Sequence, residues 1–263
     1  MKTIKFTLAV IALLFSTSLL KAQEYKIPVE NIKDTKLTIN NFPNDLPVEG
    51  YDGNDIVVTN MSDKFTKAPE KAKGLKPVFA GGNDNTGIGV SMEKSGSNIT
   101  ITCLLSITQR EDYKIKVPRA LAVKIHGECG GGGDITVSNM TGEVEVNNCQ
   151  GINLKNCTGP VVLSTISGSI ELKLGNLSKD RPVSIACISG DIDITLAPSA
   201  AVDLQMHTVS GSIYTDFDLA QKDKGDMKRV GGNNSITTAL NGGGAKLTLT
   251  NVSGNIYLRK GGQ

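Results

Sequence analysis

Tryptophan is absent from the 263 residues, and the aromatic share is only 4%. Helical periodicity is scarce as well. With 29 glycines, these shortages point to an all-β chain. No segment beyond the first 22 residues is apolar enough to cross a membrane as a helix. The formal charge of +2 offers no large basic field and no reason to propose nucleic acid as a partner. There is no Cys-x-x-Cys, and the two histidines, His126 and His207, stand apart, so no metal site is expected. Gly-x-Ser-x-Gly is missing, which removes the nucleophile-elbow hydrolases. The glycine run 130–133 is followed by neither Lys-Ser/Thr nor a helix signal, so it is not a phosphate loop.

What the chain does have is a phrase that it repeats. Thr165-Ile166-Ser167-Gly168-Ser169-Ile170 returns as Cys187-Ile188-Ser189-Gly190-Asp191-Ile192, as Thr208-Val209-Ser210-Gly211-Ser212-Ile213 and as Asn251-Val252-Ser253-Gly254-Asn255-Ile256. Looser copies surround Gly142 and Gly159. Gly133, Gly142, Gly151, Gly159 and Gly168 are spaced 9, 9, 8 and 9 residues apart, and Gly168, Gly190, Gly211, Gly232 and Gly254 are spaced 22, 21, 21 and 22 apart. Short fixed periods are the mark of a solenoid.

Each glycine is a reference point. Two residues after it come Ile135, Val144, Val161, Ile170, Ile192, Ile213 and Ile256; four after it come Val137, Val146, Leu163, Leu172, Ile194 and Leu258. Polar residues lie between, so period-two alternation predicts strands with one buried face. Two residues before the glycine stand Met140, Cys157, Ile166, Ile188, Val209, Val230 and Val252, read as a third inner column. Coils of about 18 residues, lengthening later in the chain, would join two strands over a shared core. Gly151, followed by Ile152 and Leu154, and Gly232, followed by Asn234 in the inner column, break the pattern; a slip or bulge is expected at both.

Residues 1–22 read as a secretory signal peptide: Lys2 and Lys5, then a mostly apolar stretch to Leu20, then Ala22. About 240 residues remain for the folded chain. Residues 23–129 form an N-terminal β region and 130–263 the repeat region, expected to be one continuous domain. Short strands are expected near Ile27–Val29, Leu37–Ile39, Ile56–Thr59, Ile88–Met92, Ile99–Leu105, Tyr113–Val117 and Leu121–Ile125. Asn44-Asp45-Leu46-Pro47 and Gly50-Tyr51-Asp52-Gly53 read as turns. The N-terminal strands are expected to cap one open end.

Val48 to Ile56, Asp84-Asn85-Thr86-Gly87, the signal peptide and the Ser-Gly-x-Ile phrases together resemble the bacterial putative-adhesin β-repeat family (DUF4097/DUF2807-like). The resemblance covers nearly the whole chain after the signal peptide. It implies a right-handed parallel β-solenoid exported to the periplasm, cell surface or medium. Its motifs are structural, so it brings no catalytic, cofactor or metal residues.

The candidate sites are few. Lys64, Lys67, Lys71, Lys73 and Lys76 in the loop 61–87 could meet anionic glycans or phosphorylated headgroups. Asp191 and Asp193 lie on one side of a strand, about 7 Å apart, a spacing open to acid–base work or to an ordinary solvated face. Asp84-Asn85 reads as a turn before a cation site. Five cysteines cannot all pair within one exported chain: Cys157 reads as a buried thiol in the inner column, Cys187 as lying beside it, and Cys149–Cys157 as an available disulfide. The expectation is a non-enzymatic envelope or adhesin-like binding module whose partner is a cell-surface glycan or envelope protein. The alternative is a glycan-active β-helix enzyme, a polysaccharide lyase or hydrolase, which needs carboxylates and cations of adjacent coils to converge on a groove.

Overall fold

Alternating β-branched residues in short runs should make strands of about five residues, and twenty such strands form among the described residues. The computed structural model describes residues 23–62, 70–75, 78–109, 111–175, 177–219 and 234–261. The proposed signal peptide, Val230, Gly232 and three of the five loop lysines (Lys64, Lys67 and Lys76) lie outside them.

The strands, numbered in chain order, fall into two ten-stranded sheets. The first sheet runs, in spatial order, β1 (Gln23–Pro28), β4 (Asp55–Asn60), β7 (Tyr113–Pro118), β3 (Leu46–Tyr51), β9 (Ile135–Ser138), β11 (Ile152–Lys155), β13 (Ile170–Leu174), β15 (Ile192–Leu196), β20 (Ile256–Lys260) and β17 (Ile213–Thr215). The second runs β18 (Asn234–Leu240), β16 (Val202–Ser210), β19 (Ala245–Ser253), β14 (Val183–Ser189), β12 (Val161–Ser167), β10 (Val144–Asn148), β8 (Ala122–His126), β2 (Lys36–Asn40), β6 (Asn98–Cys103) and β5 (Val90–Ser95). Single 3₁₀ turns occupy Glu70–Ala72 and Ile107–Gln109.

From β8 to β17 the chain alternates between the sheets, and β19/β20 add one further pass; each of these strands pairs in parallel with its neighbouring rungs in the stack. Ile152, Ile170, Ile192, Ile256 and Ile213 stand in one column of the first sheet. Val144, Val161, Val183 and Leu247 stand in a column of the second. The two inner faces meet in one hydrophobic cluster that runs the length of both sheets. A buried aliphatic side chain contributes about 1.5–3 kcal/mol, so these columns drive the winding.

Rungs do not stack in chain order. The rung β19/β20 sits between β14/β15 and β16/β17, and β2/β3 sits between β6/β7 and β8/β9. The stack ends are closed largely by antiparallel strands: β18 on β16 at one end, β5 on β6 and β4–β1 on β7 at the other. An antiparallel strand covers the last rung with a hairpin edge instead of leaving a parallel ladder open. The stretch after Gly232 is therefore a cap strand, not the slipped rung expected there.

β3 is a second correction. The turn residues Leu46, Pro47, Gly50 and Tyr51 belong to an inner strand, with Leu46 facing Ile135 and Val48 facing Val137. Pro47 is accommodated because pairing with β7 begins only at Val48, so no ladder donor is missed.

The nine-residue ruler proves to count two different corners. Gly142 and Gly159 turn the chain from the first sheet to the second; Gly168, Gly190, Gly211 and Gly254 turn it from the second to the first. At the former corners Met140 and Cys157 are buried, as expected. At the latter, Ile166, Ile188, Val209 and Val252 are half exposed (44–51%), and the inner place goes to Thr165, Cys187, Thr208 and Asn251. These corners contain an odd residue: Thr165 and Ile170, both buried, are five apart, so alternation loses phase across the glycine. The slip expected at Gly151 is present. Asn148 pairs with Thr165 and Ile152 with Ile170, so this corner is one residue shorter than the next.

Candidate functional site

The repeated phrase is explained by two hydrogen-bond ladders at the second-to-first corner. In the inner ladder, a side chain three before the glycine donates to a carbonyl one rung away: Thr165 Oγ1 to Gln150 O (2.6 Å), Asn251 Nδ2 to Gly190 O (2.8 Å), Thr208 Oγ1 to Gly254 O (3.1 Å), and Cys187 Sγ to Gly168 O (3.5 Å). In the outer ladder, the residue after the glycine accepts from the backbone N–H of the next rung. Ser169 Oγ receives Asp191 N at 3.3 Å, Asp191 Oδ1 receives Asn255 N at 2.8 Å, and Asn255 Oδ1 receives Ser212 N at 3.0 Å. Gly190 has φ +144°, and a Cβ there would collide with the Gly168 carbonyl. Glycine is thus required by backbone approach as well as by conformation.

Both carboxylates flagged on β15 and its corner have partners. Asp191 is a rung of the outer ladder. Asp193 is held by Arg259, whose Nε and Nη2 reach Oδ1 and Oδ2 at 2.9 Å each. The two carboxylates flagged for acid–base work are therefore engaged separately, one by backbone and one by guanidinium. Asp84 is engaged too: its oxygens accept from Thr86 N, Gly87 N and Gly89 N at 2.8–3.0 Å, which makes it the centre of a turn.

The cysteines pair differently from the expected Cys149–Cys157 bond. Cys129 and Cys149 form a disulfide. Cys157 is at the opposite corner, its Sγ 3.5 Å from Lys155 O and 3.9 Å from Val137 O, so Cys149 is out of its reach. Cys187, read as lying beside the column, is in it and buried. Cys103 is a further buried thiol, and burial pushes it up to about 11. Burial likewise drives the Tyr113 hydroxyl well above its ordinary range; that hydroxyl donates to Ile88 O at 2.6 Å.

The outward faces of the two sheets differ in chemistry. On the first sheet, Lys114 meets Glu49 at 2.7 Å, and this hydrogen bond holds the Glu49 carboxyl below the usual carboxylate range. Further along, Lys155, Glu171, Lys173, Asp193 and Arg259 line an open groove of about 310 Å³. Tyr257 stacks on Tyr214 with centroids 5.3 Å apart, and Arg259 lies 5.2 Å from the Tyr257 centroid.

The second sheet carries an uncharged block instead. Strand β12 presents Val162, Ser164 and Ile166; β14 presents Ser184, Ala186 and Ile188; β19 presents Thr248, Thr250 and Val252. Register places them in rows, Val162–Ser184–Thr248 and Ser164–Ala186–Thr250, with the Ile166, Ile188 and Val252 row beside the serine ladder Ser167–Ser189–Ser253. Val209 on β16 extends the aliphatic row. Charge returns at the borders: Lys246 on β19 faces Asp203 on β16 one outward place before Thr248, and Lys124 donates to Glu145 at 2.8 Å and lowers its pKa.

Of the five lysines proposed for ligand contact, Lys71 and Lys73 lie exposed in and beside the 3₁₀ turn at Glu70–Ala72. The uncharged block went unread in the sequence because its aliphatic row was assigned to the core. The one available signal was that Thr165, Thr208 and Asn251 have partners to satisfy if they face inward, whereas isoleucine facing outward needs none.

No helix among the described residues is long and apolar enough to cross a membrane, and no cluster of three or more His, Cys, Asp or Glu side chains forms among them. No family model matches the chain, and no curated protein matches it. Two solved structures are similar. One is a putative cell adhesion protein from Clostridium sporogenes, 12% identical, with 92% of this chain and 100% of that chain covered and a TM-score of 0.43. The other is a putative adhesin from Bacteroides fragilis, 14% identical, with 92% and 97% covered and a TM-score of 0.36. Both are distant likenesses.

Proposed function

We propose that this chain is an exported, non-enzymatic, right-handed β-solenoid that acts as an adhesin-like or envelope binding module. The observation that carries the reading is the contrast between its outward faces, one charged and aromatic, the other bearing an uncharged block with charge at its borders, on a frame whose candidate catalytic carboxylates are already engaged. Extended strand faces of this kind bind through area and repetition more than through a deep pocket. The right-handed sense is supported by the general rule that strand-to-parallel-strand crossovers, of which β12–β13–β14 is one, are right-handed in about 98% of cases. The Cys129–Cys149 disulfide fits an oxidising compartment.

The test is protease accessibility on intact source cells, with a periplasmic protein as control, combined with an assay for sugar release. Degradation of this chain while the control survives, without release of reducing or unsaturated sugars, supports a surface binding role. Protection redirects the reading to a periplasmic partner. Turnover of a polysaccharide would establish the glycan-active enzyme instead.

A further inference from the structure

Five of the exposed large apolar side chains, Val162, Ile166, Ile188, Val209 and Val252, lie on one outward face of the second sheet. They occupy four adjacent strands, β12, β14, β19 and β16. From the row Val162–Ser184–Thr248 to the row Ile166–Ile188–Val252, serine, threonine and alanine fill the remaining outward places on β12, β14 and β19; β16 adds Gln205 and His207, and Lys246 on β19 faces Asp203 on β16 one outward place beyond these rows. Side chains this apolar on a soluble face mark a contact surface when they are contiguous.

Two properties narrow the partner. The rows on β12, β14 and β19 offer no cation or aimed N–H donor of the kind that recognition of phosphate, carboxylate or sulfate needs, and Lys246 at their border already faces Asp203. Strands about 4.8 Å apart, with outward positions spanning four steps of about 3.3 Å, give a footprint on the order of 400 Å² with side-chain margins. A stable protein partner, a second copy included, needs about 800 Å² on each side. A narrow polymer needs less per unit length and gains from repetition along the rungs. Each hydroxyl in the block can both donate and accept, which suits sugar hydroxyls, and the aliphatic row suits the C–H faces of sugar rings.

We propose that this face binds an uncharged polysaccharide laid across the rungs of β12, β14, β19 and β16, an inference that rests on the binding-module reading above and gives it a ligand class. The charged face of the first sheet takes no part in this contact.

The experiment is co-sedimentation of the full exported chain with insoluble neutral glucan, mannan and chitin, and with polyuronate gel, at low salt and at about 1 M salt, where charge contacts longer than about 3 Å are screened. At least one neutral polymer should retain the protein with less than about twofold change between the salts. Ile188→Lys and Val252→Lys should each weaken retention about tenfold or more, because a lysine buried against an uncharged partner loses its hydration. Ile188→Ser, which leaves the strand uncharged, should weaken it less. Lys173→Ala, on the opposite face, should leave it unchanged. All three positions face outward, and thermal melts matching the parent show that the four variants fold.

Retention only on polyuronate, or retention lost at high salt, overturns the proposal. So does retention that survives both lysine variants, or failure to bind any of the neutral polymers. Self-association in sedimentation velocity that Ile188→Lys abolishes would assign the face to a second copy. If intact cells or an envelope protein bind the chain while every neutral polymer fails, the binding-module reading stands and this ligand class falls.

Discussion

At the residue scale the glycines of the second-to-first corner are the least replaceable positions. Gly190→Ala places a Cβ against the Gly168 carbonyl at a φ of +144°. It is expected to destabilise the chain by roughly 1–3 kcal/mol from backbone strain alone, read as a fall in denaturant midpoint. Gly175 has nothing within 4 Å of a built Cβ, so Gly175→Ala should stay within about 0.5 kcal/mol. Equal effects of the two would show that the corner tolerates a side chain. Ionisation adds a pH signature. Burial raises Cys103 from 9.0 to about 11 and raises Tyr113 as well, so the folded chain keeps protons that the unfolded chain releases. The stability they contribute is complete below about pH 9 and drains away as pH climbs towards about 11. On the acid side Glu49 and Glu145 are lowered by their lysine partners. Their contribution is present above the ordinary carboxyl value of 4.5 and fades as pH falls through their folded values. Melts from pH 3 to 11 should therefore give a plateau with losses at both ends, and a Cys103→Ala variant should lose less on the alkaline side.

At the scale of elements, the Cys129–Cys149 bond ties the loop between β8 and β9 to the end of β10 across a sequence separation of 20. Loop-closure entropy for that length gives about 3 kcal/mol. Reduction should lower stability by that order, seen as a shift in midpoint, while the three free cysteines remain unlabelled in the native state because they are buried. An unshifted midpoint would mean that the loop is already held by its backbone. The strands themselves were legible in the sequence because period-two alternation states which residues are buried: Ile170 and Leu172, or Ile192 and Ile194. The third inner column was misread because alternation carries no information through a corner with an odd residue. Rung order was illegible for a different reason. Leu247 fits beside Val183 as well as Leu204 does, since every copy offers the same column. β3 was hidden behind proline and glycine, whose turn chemistry is real but yields when a strand needs partners on both sides. The uncharged block was invisible for as long as its isoleucines were placed inside.

At the scale of the whole molecule, the stack is assembled from distant pieces. Asn251 reaches Gly190 over 61 residues and Asn40 faces Thr102 over 62. Such long-range pairing folds slowly, in milliseconds to seconds. Removing residues 245–263 deletes β19 and β20 and leaves β14/β15 separated from β16/β17 by an absent rung. The shortened chain should lose its cooperative melt and bind a hydrophobic dye. Removing residues 23–28, which form only the edge strand β1, should shift the melt without abolishing it. A cooperative transition in the chain lacking β19 and β20 would show that the two neighbouring rungs can close over the gap.

The inserted last rung also determines how the molecule responds to tension. Strand β20 lies between β15 and β17, so a pull on the C-terminus along the strand must slide two parallel ladders past each other at once. Strand β1 grips β4 alone, and a pull on the N-terminal side can open its bonds one after another. The chain therefore has a strong end and a weak end. Tethered by its C-terminus and loaded through its faces, it would hold tension as a clasp; tethered by its N-terminus, it would yield in steps.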